Sequence, residues 1–410
     1  MRDLEDDLRM KTFILFVLAT SSLFARSLTP SELAVLAEDR APLIRMQIEN
    51  KASAGHQINQ SKLLANPMLI VQSGKLKTGT QNGAVVDVTV NQPIPWPGKR
   101  YAEINSAKIL EKISDVDLEQ SKLLVNHSVA LLGIEYAVIS ELEKHNQERK
   151  HRFSIIHRFL TSRPQASPKQ MVEKNLIETQ INLVESQMFD LETKKMSLRE
   201  QLTYYSGEVD PEVLVNWDMI PKPGPKDEFV TRIEEGPHYR KSKRMEDLAR
   251  NRIEQASYFA KPDIQVGVNY RQENVAPTNH FYHANLAVVI PIIDRGQHSE
   301  EIARANARKE EANTKLTHLS AMAEINQEYQ SLIAAYRSTE LFRISKLKRT
   351  EDQFHQAEDA FKKGRIDVTT FLQTDMQLHE SIDLAFVSFI KYYTALSRLK
   401  MLSGQKLEIK

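Results

Sequence analysis

The sequence predicts a mainly α-helical, internally duplicated chain in which two β-hairpins interrupt long helical hairpins. Three observations predict it: a composition suited to long helices, a repeat just under 200 residues in period, and heptad-spaced apolar residues in the long segments. Among 410 residues there are only 13 Gly, 7% are aromatic and 27% are charged. A pure outer-membrane barrel would be richer in aromatics and alternating strands, and a helical membrane bundle needs several apolar runs of about 20 residues. Neither membrane class fits alone.

Charge and cysteine content narrow the chemistry. Lys and Arg number 55 against 54 Asp and Glu, a formal net charge of +1, which is no nucleic-acid-binding composition. The absence of cysteine excludes a disulfide, a thiolate metal site, a Cys nucleophile and a lipidated N-terminal Cys.

Residues 1–27 read as a secretory signal peptide. From Met10, Lys11 is the positive n-region, Thr12 to Phe24 the apolar h-region, and Ala25 or Ser27 the small cleavage residue. Residues 1–9 are acidic and read as an extension upstream of the start. The alternative is a buried or anchoring N-terminal helix.

The repeat organises the rest. Asn66-Pro67 answers Lys261-Pro262, Pro93 with Gly98 answers Pro291 with Gly296, and Ser206-Gly207 answers Ser403-Gly404, at offsets of 195, 198 and 197. Gly98 to Gly207 is 109 residues and Gly296 to Gly404 is 108. The first repeat therefore spans 28–207, a Pro-rich connector 208–225, the second repeat 226–404, and a tail 405–410.

The first helix starts at the capping box Thr29-Pro30-Ser31-Glu32 and runs, kinked at Pro42, to about Leu64. The strand pair over 67–92 follows: Met68 to Leu76, then Val85 to Val90 with Val86, Val88 and Val90 alternating with Asp87 and Thr89. The second pair, over 262–292, alternates Ile264, Val266, Val268 and Tyr270, then Leu286, Val288 and Ile290. A small soluble sheet with one face on a core explains the alternation equally well.

Helical hairpins fill 98–207 and 296–404. Ile177, Ile181, Val184, Met188 and Leu191 form one seam, and Ile382, Ala385, Phe389, Tyr392, Leu396 and Leu399 another, as in a packed coiled coil. The hairpins turn at Arg163 to Pro168 and at Lys362 to Arg365. Roughly 60 helical residues before the first turn would reach on the order of 90 Å. In the connector, Val213, Leu214, Trp217 and Ile220 offer apolar side chains to dock alongside the helices.

Four strands are too few to close a barrel, and an open sheet leaves edges intolerable in lipid. If the strands lie in a membrane, several chains share one barrel; three copies would supply 12 strands, with the long helices continuing as a periplasmic bundle.

The order of the capped helix, the Asn-Pro strand, V-T-V-N-Q-P-I-P-W-P-G-K-R at Val88 to Arg100, K-P-D-I-Q-V-G-V at Lys261 to Val268 and L-A-V-V-I-P-I-I-D-R-G-Q at Leu286 to Gln297 resembles the TolC-type outer-membrane efflux proteins. So does the ending: Phe361, Gly364, Asp367-Val368, Phe371-Leu372, Gln377, and Tyr393 through Leu402-Ser403-Gly404. The resemblance covers Leu28 to Gly404, and Q-P-I-P-W-P-G-K-R is similar to the heavy-metal efflux branch. It implies a homotrimeric exit duct: a 12-stranded barrel in outer-membrane lipid, a periplasmic α-barrel, docking to a periplasmic adaptor (a membrane fusion protein) and an inner-membrane pump, with no catalysis and no cofactor. Its implied adaptor-docking and gate tips are Ser167, Pro168, Gly364, Arg365, Asp367, Val368, Thr370, Gln373 and Asp375. Its barrel-to-helix junctions are Pro93, Pro95, Gly98, Pro291 and Gly296. Well-known members place acids six and nine residues after the tip Gly, where this chain departs with Thr370 and Gln373; Arg365, Asp367 and Asp375 are the nearby candidates for gate ion pairs or a selectivity ring.

Enzyme motifs are missing: there is no P-loop, Rossmann glycine pattern, H-E-x-x-H or G-x-S-x-G. His280 and His283 fall between the third and fourth strands, on an expected extracellular loop, without a third metal ligand. His145, His151 and His157 are six residues apart and do not share one helix face. Three readings follow: an efflux duct for small solutes, metal ions among them; a duct of the same fold for type I protein secretion; and a soluble periplasmic coiled-coil scaffold. A neighbouring adaptor and resistance-type pump would favour the first, an ABC exporter beside a substrate protein the second, and recovery without detergent the third.

Overall fold

The computed structural model describes residues 27–79, 81–162, 167–207, 212–218 and 220–409. Residues 1–26, which carry nearly all of the expected signal peptide, lie outside them, as do Arg163 to Ala166 of the first expected helical turn. The elements are β1 (Ser27–Leu28), α1 (Pro30–Arg40), α2 (Pro42–Ser61), β2 (Met68–Thr78), β3 (Gln81–Ile94), α3 (Pro97–Thr161), α4 (Pro168–Ser206), β4 (Glu212–Val213), α5 (Lys226–Thr231), α6 (Pro237–Ser257), β5 (Asp263–Asn274), β6 (Asn279–Val289), α7 (Gln297–Leu341), α8 (Ile344–Lys362) and α9 (Val368–Leu402). They form two compact units. The helical unit takes the described parts of 1–44, 122–231 and 324–410; the sheet unit takes 45–121 and 232–323.

In the sheet unit, β2, β3, β5 and β6 form one antiparallel sheet in that order, so the two hairpins lie side by side. Both hairpins turn at the same end, because Lys75 pairs Ala84 and Ala84 pairs Asn274. Small residues line the buried faces of this unit's helices: Ala102 and Ala107 of α3, Ala249 and Ala256 of α6, and Ala303 and Ala307 of α7. Asn251 joins α6 to α3, donating to the Ala102 carbonyl at 2.8 Å and to Ser106 Oγ at 2.6 Å while accepting from Asn105 at 2.7 Å. A buried amide satisfied on both sides fixes the register of two helices that alanines alone would let slide.

In the helical unit, Thr29 caps α1 through the expected capping box with Glu32. Beside it, Ser31 Oγ and Asn126 Oδ1 accept from the amides of Ile409 and Leu407, tying down a tail whose Leu407 and Ile409 are buried. The two seams face inward: Ile177, Val184, Ala385, Phe389, Tyr392, Leu396 and Leu399 are buried. The connector lies against α9, with Trp217 edge-on to Phe386 at 5.0 Å and the Tyr392 hydroxyl donating to the Pro221 carbonyl at 2.5 Å. Leu214 instead stays exposed, its amide donating to Leu28 where β4 pairs with β1. One break was not expected. Between α7 and α8 the chain leaves the helix at Phe342 and Arg343, where no Gly or Pro stands and no side chain caps the new start. Within α3 lies one stretch long and apolar enough to cross a membrane, more than half of it buried in the chain, as in a core helix.

Candidate functional site

The sheet has two chemically different faces. Alternation and register put Leu69, Val71, Val88, Val90, Val268 and Leu286 on one face, and Asn91, Thr89, Asp87, Asn269, Arg271 and Asn285 on the other. On the polar face the side chains bond across strands: Asn285 donates to Asn91 at 2.9 Å and Asn269 to Thr89 at 2.6 Å. Gly267 lies beneath the first pair, where a Cβ would come within 2.0 Å of Asn91 Oδ1 and 2.3 Å of Asn285 Oδ1. The outer strands β2 and β6 have no further strand beyond them among the described residues, so each leaves one edge of the sheet unpaired.

His280 and His283 are not on a loop. Both lie in β6, where a separation of three puts them on opposite faces, and the ring Nδ1 of His280 meets the Tyr270 hydroxyl at 2.8 Å. The expectation failed because β6 is longer than its run of apolar residues. No group of three or more His, Asp or Glu side chains suited to a metal occurs among the described residues.

Of the expected junction residues, Gly98 and Gly296 both abut one short helical turn, Tyr258–Ala260. A Cβ on Gly98 would lie 2.4 Å from the Tyr258 ring; one on Gly296 would lie 2.6 Å from Phe259 Cβ, and Gly296 has a φ of +73°. Pro93 pairs only with Gln265, because β2 begins at Met68 opposite Asn91, so its missing N–H costs no ladder bond on that side. Pro95 precedes α3 and Pro291 follows β6. Lys99 links α3 to the start of β5, donating to both oxygens of Asp263 at 2.9 Å and to the Lys261 carbonyl at 3.1 Å.

In the helical unit the expected tip residues separate into surface and core. Ser167 caps α4, its hydroxyl accepting from Gln170 N at 3.3 Å, and Pro168 is the first helical residue. At the other turn, Gly364 has a φ of +70° and the Arg365 amide closes the helix end on the Ala360 carbonyl at 2.8 Å. Asp367 then caps α9, accepting from Thr370 N at 2.8 Å; that backbone bond first, with Lys169 a lesser cause, holds its carboxyl below the usual range. Arg365, Thr370 and Gln373 are exposed. Val368 is buried with Phe371, Leu160, Ile177 and Phe361, where α3, α4, α8 and α9 meet.

Asp375, a candidate for a gate ion pair or a selectivity ring, is buried. It accepts from Arg149 of α3 at 2.6 Å, and a second contact of 2.6 Å runs from Arg149 Nη2 to the same oxygen. One turn along α9, His379 stacks on His145 of α3, with ring centroids 5.5 Å apart and planes 7° apart. Burial, reinforced by His379, Arg152 and Arg149, pushes His145 down to about 4. Burial also lowers His379, against the pull of Asp383 and Asp375, and raises Asp383. His145 Nε2, Asn146 Oδ1, His379 Nδ1 and two guanidinium nitrogens of Arg152 are buried without a hydrogen-bond partner among the described residues. Arg149, Arg152 and His379 escaped sequence reasoning, since nothing in a single sequence marks an ion pair 226 residues apart.

No protein-family model and no curated protein sequence matches the chain. Solved structures do match it in fold. The open-state MtrE outer membrane channel of Neisseria gonorrhoeae superposes with a TM-score of 0.76 at 13% identity, covering 92% of this chain and 89% of that one. The CmeC outer membrane channel of Campylobacter jejuni gives 0.75 at 13% identity, over 92% and 85%. The outer membrane protein VceC of Vibrio cholerae gives 0.73 at 13% identity, over 92% and 97%. The structural neighbours are outer-membrane channels of the TolC type, and the mainly helical fold with added strands is theirs.

Proposed function

We propose that the chain is the outer-membrane exit duct of a tripartite efflux system. Three copies close one 12-stranded barrel from four strands each, and their long helices form a periplasmic α-barrel that meets a periplasmic adaptor and, through it, an inner-membrane pump. The duct is passive: it conducts small solutes outward, and the likeness of Q-P-I-P-W-P-G-K-R to the heavy-metal branch puts metal ions among them. The observation that carries this reading is the two-faced sheet with two open edges, on a chain folded like outer-membrane channels. Lipid tolerates no unpaired strand edge, so β2 and β6 need partners, and further copies of the chain supply them.

Within this reading the exposed turns at Ser167-Pro168 and Gly364 to Asp367 form the adaptor-docking end. The gate there carries no acidic ring at Thr370 and Gln373, and the Asp375 carboxylate is already paired inside its own chain. Conductance of the purified protein in a planar bilayer, with its mass in detergent taken on the same sample, tests the proposal. Pores from a trimer are expected; a monomer that never inserts overturns it.

A further inference from the structure

The apolar face of the sheet changes character in register along the strands. The rows nearest the helices are aliphatic apart from Gln92, ending in the row that holds Val71, Val88, Tyr270 and Tyr282; the next holds Ser73, Val86, Gln272 and His280, and the two beyond hold Lys75 and then Lys77. Rows on one face are about 6.8 Å apart, so the aliphatic-to-tyrosine stretch covers roughly 20 Å, close to the apolar band of an outer-membrane barrel. Tyr270 and Tyr282 pack at 5.3 Å where such a band ends, and the lysines project one and two rows beyond His280.

Both lysines are exposed, and neither has an ion-pair partner among the described residues. No Asp or Glu stands on this face of the four strands: Asp87, Asp263 and Glu273 all point to the other. Two unpaired cations at headgroup depth, beside an aromatic row and free of competing carboxylates, complement a phosphate-bearing lipid surface.

We propose that Lys75 and Lys77 form a docking surface for the phosphates of phosphorylated lipid headgroups at the barrel's outer rim. The inference rests on the outer-membrane reading for its orientation, and lipid is the occupant because the apolar and aromatic rows lead directly into the lysines. On the polar face, Arg271 is already paired with Glu273 at 2.8 Å, so the free cationic charge lies on the lipid side.

The full chain in detergent micelles would be titrated with diphosphorylated lipid A and the bound lipid counted by native mass spectrometry. The wild type and a K75R/K77R variant should bind alike, and K75Q/K77Q about thirtyfold more weakly, each cation contributing roughly fivefold. Dephosphorylated lipid A should bind the wild type no better than it binds K75Q/K77Q. Equal binding by K75Q/K77Q overturns the proposal; if that variant aggregates, the wild type decides, and equal binding of lipid A and its dephosphorylated form overturns it. Protection by millimolar inorganic phosphate would also overturn it, as a free-phosphate site. Insertion into phosphatidylcholine vesicles, measured on the same samples, reports separately on the outer-membrane reading: loss of insertion by all three proteins sinks that reading, whatever the lipid A titration shows.

Discussion

Arg149 and Asp375 form an ion pair inside the helical unit, at 2.6 Å and with both side chains almost wholly out of solvent. The Arg149 guanidinium also lies 5.4 Å from the centre of the Phe153 ring, so it is held by charge on one side and by a π face on the other. Removing one partner strands the other in a low-dielectric site. Asp375→Asn is therefore expected to cost about 3–5 kcal/mol, while Arg149→Met with Asp375→Leu recovers most of that loss. Urea unfolding of the three proteins checks this; a double variant no better than Asp375→Asn would mean that the pair also positions the helices.

The stacked histidines beside that pair make stability depend on pH. His145 has its folded pKa depressed to about 4 from 6.5, so the unfolded chain binds the proton more readily. Its contribution is therefore fully present above pH 6.5 and is lost as pH falls toward 4, a loss of roughly 3 kcal/mol at most. His379, lowered by burial and by Arg149, adds in the same direction. His145→Phe should flatten the dependence of the melting temperature on pH between 6.5 and 4. A His145 imidazole resonance that titrates near 6.5 in the folded protein, identified by its loss in His145→Phe, would contradict the assignment.

The sequence was legible where a local rule acts alone. Thr29 to Glu32 specify a cap within four residues, and the heptad seams through Ile177 and Phe389 meet the core because a helix exposes one stripe whatever packs on it. The break at Phe342 carried no local signal. Val368 and Asp375 were tip candidates by resemblance alone; their burial comes from neighbouring helices, whose approach is a property of the whole unit. His280 was misplaced for a related reason: the strand outlasts its apolar run, since backbone pairing with Gln272 continues where side chains turn polar.

Three glycines should separate conformational strain from crowding. Gly364 has a φ of +70° with nothing within 4 Å of a built Cβ, so Gly364→Ala costs only the left-handed backbone, about 1–2 kcal/mol. Gly296 combines a φ of +73° with Phe259 Cβ at 2.6 Å, an atom that cannot swing away, so Gly296→Ala should cost about 2–4 kcal/mol. Gly98 lies in a helix, where Ala is favoured, and its obstacle is the ring of Tyr258, which can rotate if it gives up its bond to Glu254. Gly98→Ala should be the mildest of the three. Melting temperatures in the reverse order would refute the separation.

On the polar face of the sheet, Gly267 and Gly74 make a matched pair, both in strands and both on that face. A Cβ at Gly267 would meet Asn91 Oδ1 and Asn285 Oδ1 and, at 2.6 Å, the Val90 carbonyl; the amides can turn aside but the carbonyl belongs to the ladder of β3. At Gly74 the nearest atom is a Val85 methyl at 3.6 Å, an ordinary contact. Gly267→Ala must then push β3 from β5 and break the Asn91 to Asn285 bridge, whereas Gly74→Ala leaves the β2 to β3 pairing intact and gains strand propensity. Hydrogen exchange should show the β5 amides of Gly267→Ala opening faster by a factor of ten or more, for a cost of about 1.4 kcal/mol or above, and those of Gly74→Ala unchanged. Equal protection in both variants would mean that the sheet accommodates the methyl group by twisting, and that the amide bridge over Gly267 does not hold β3, β5 and β6 together.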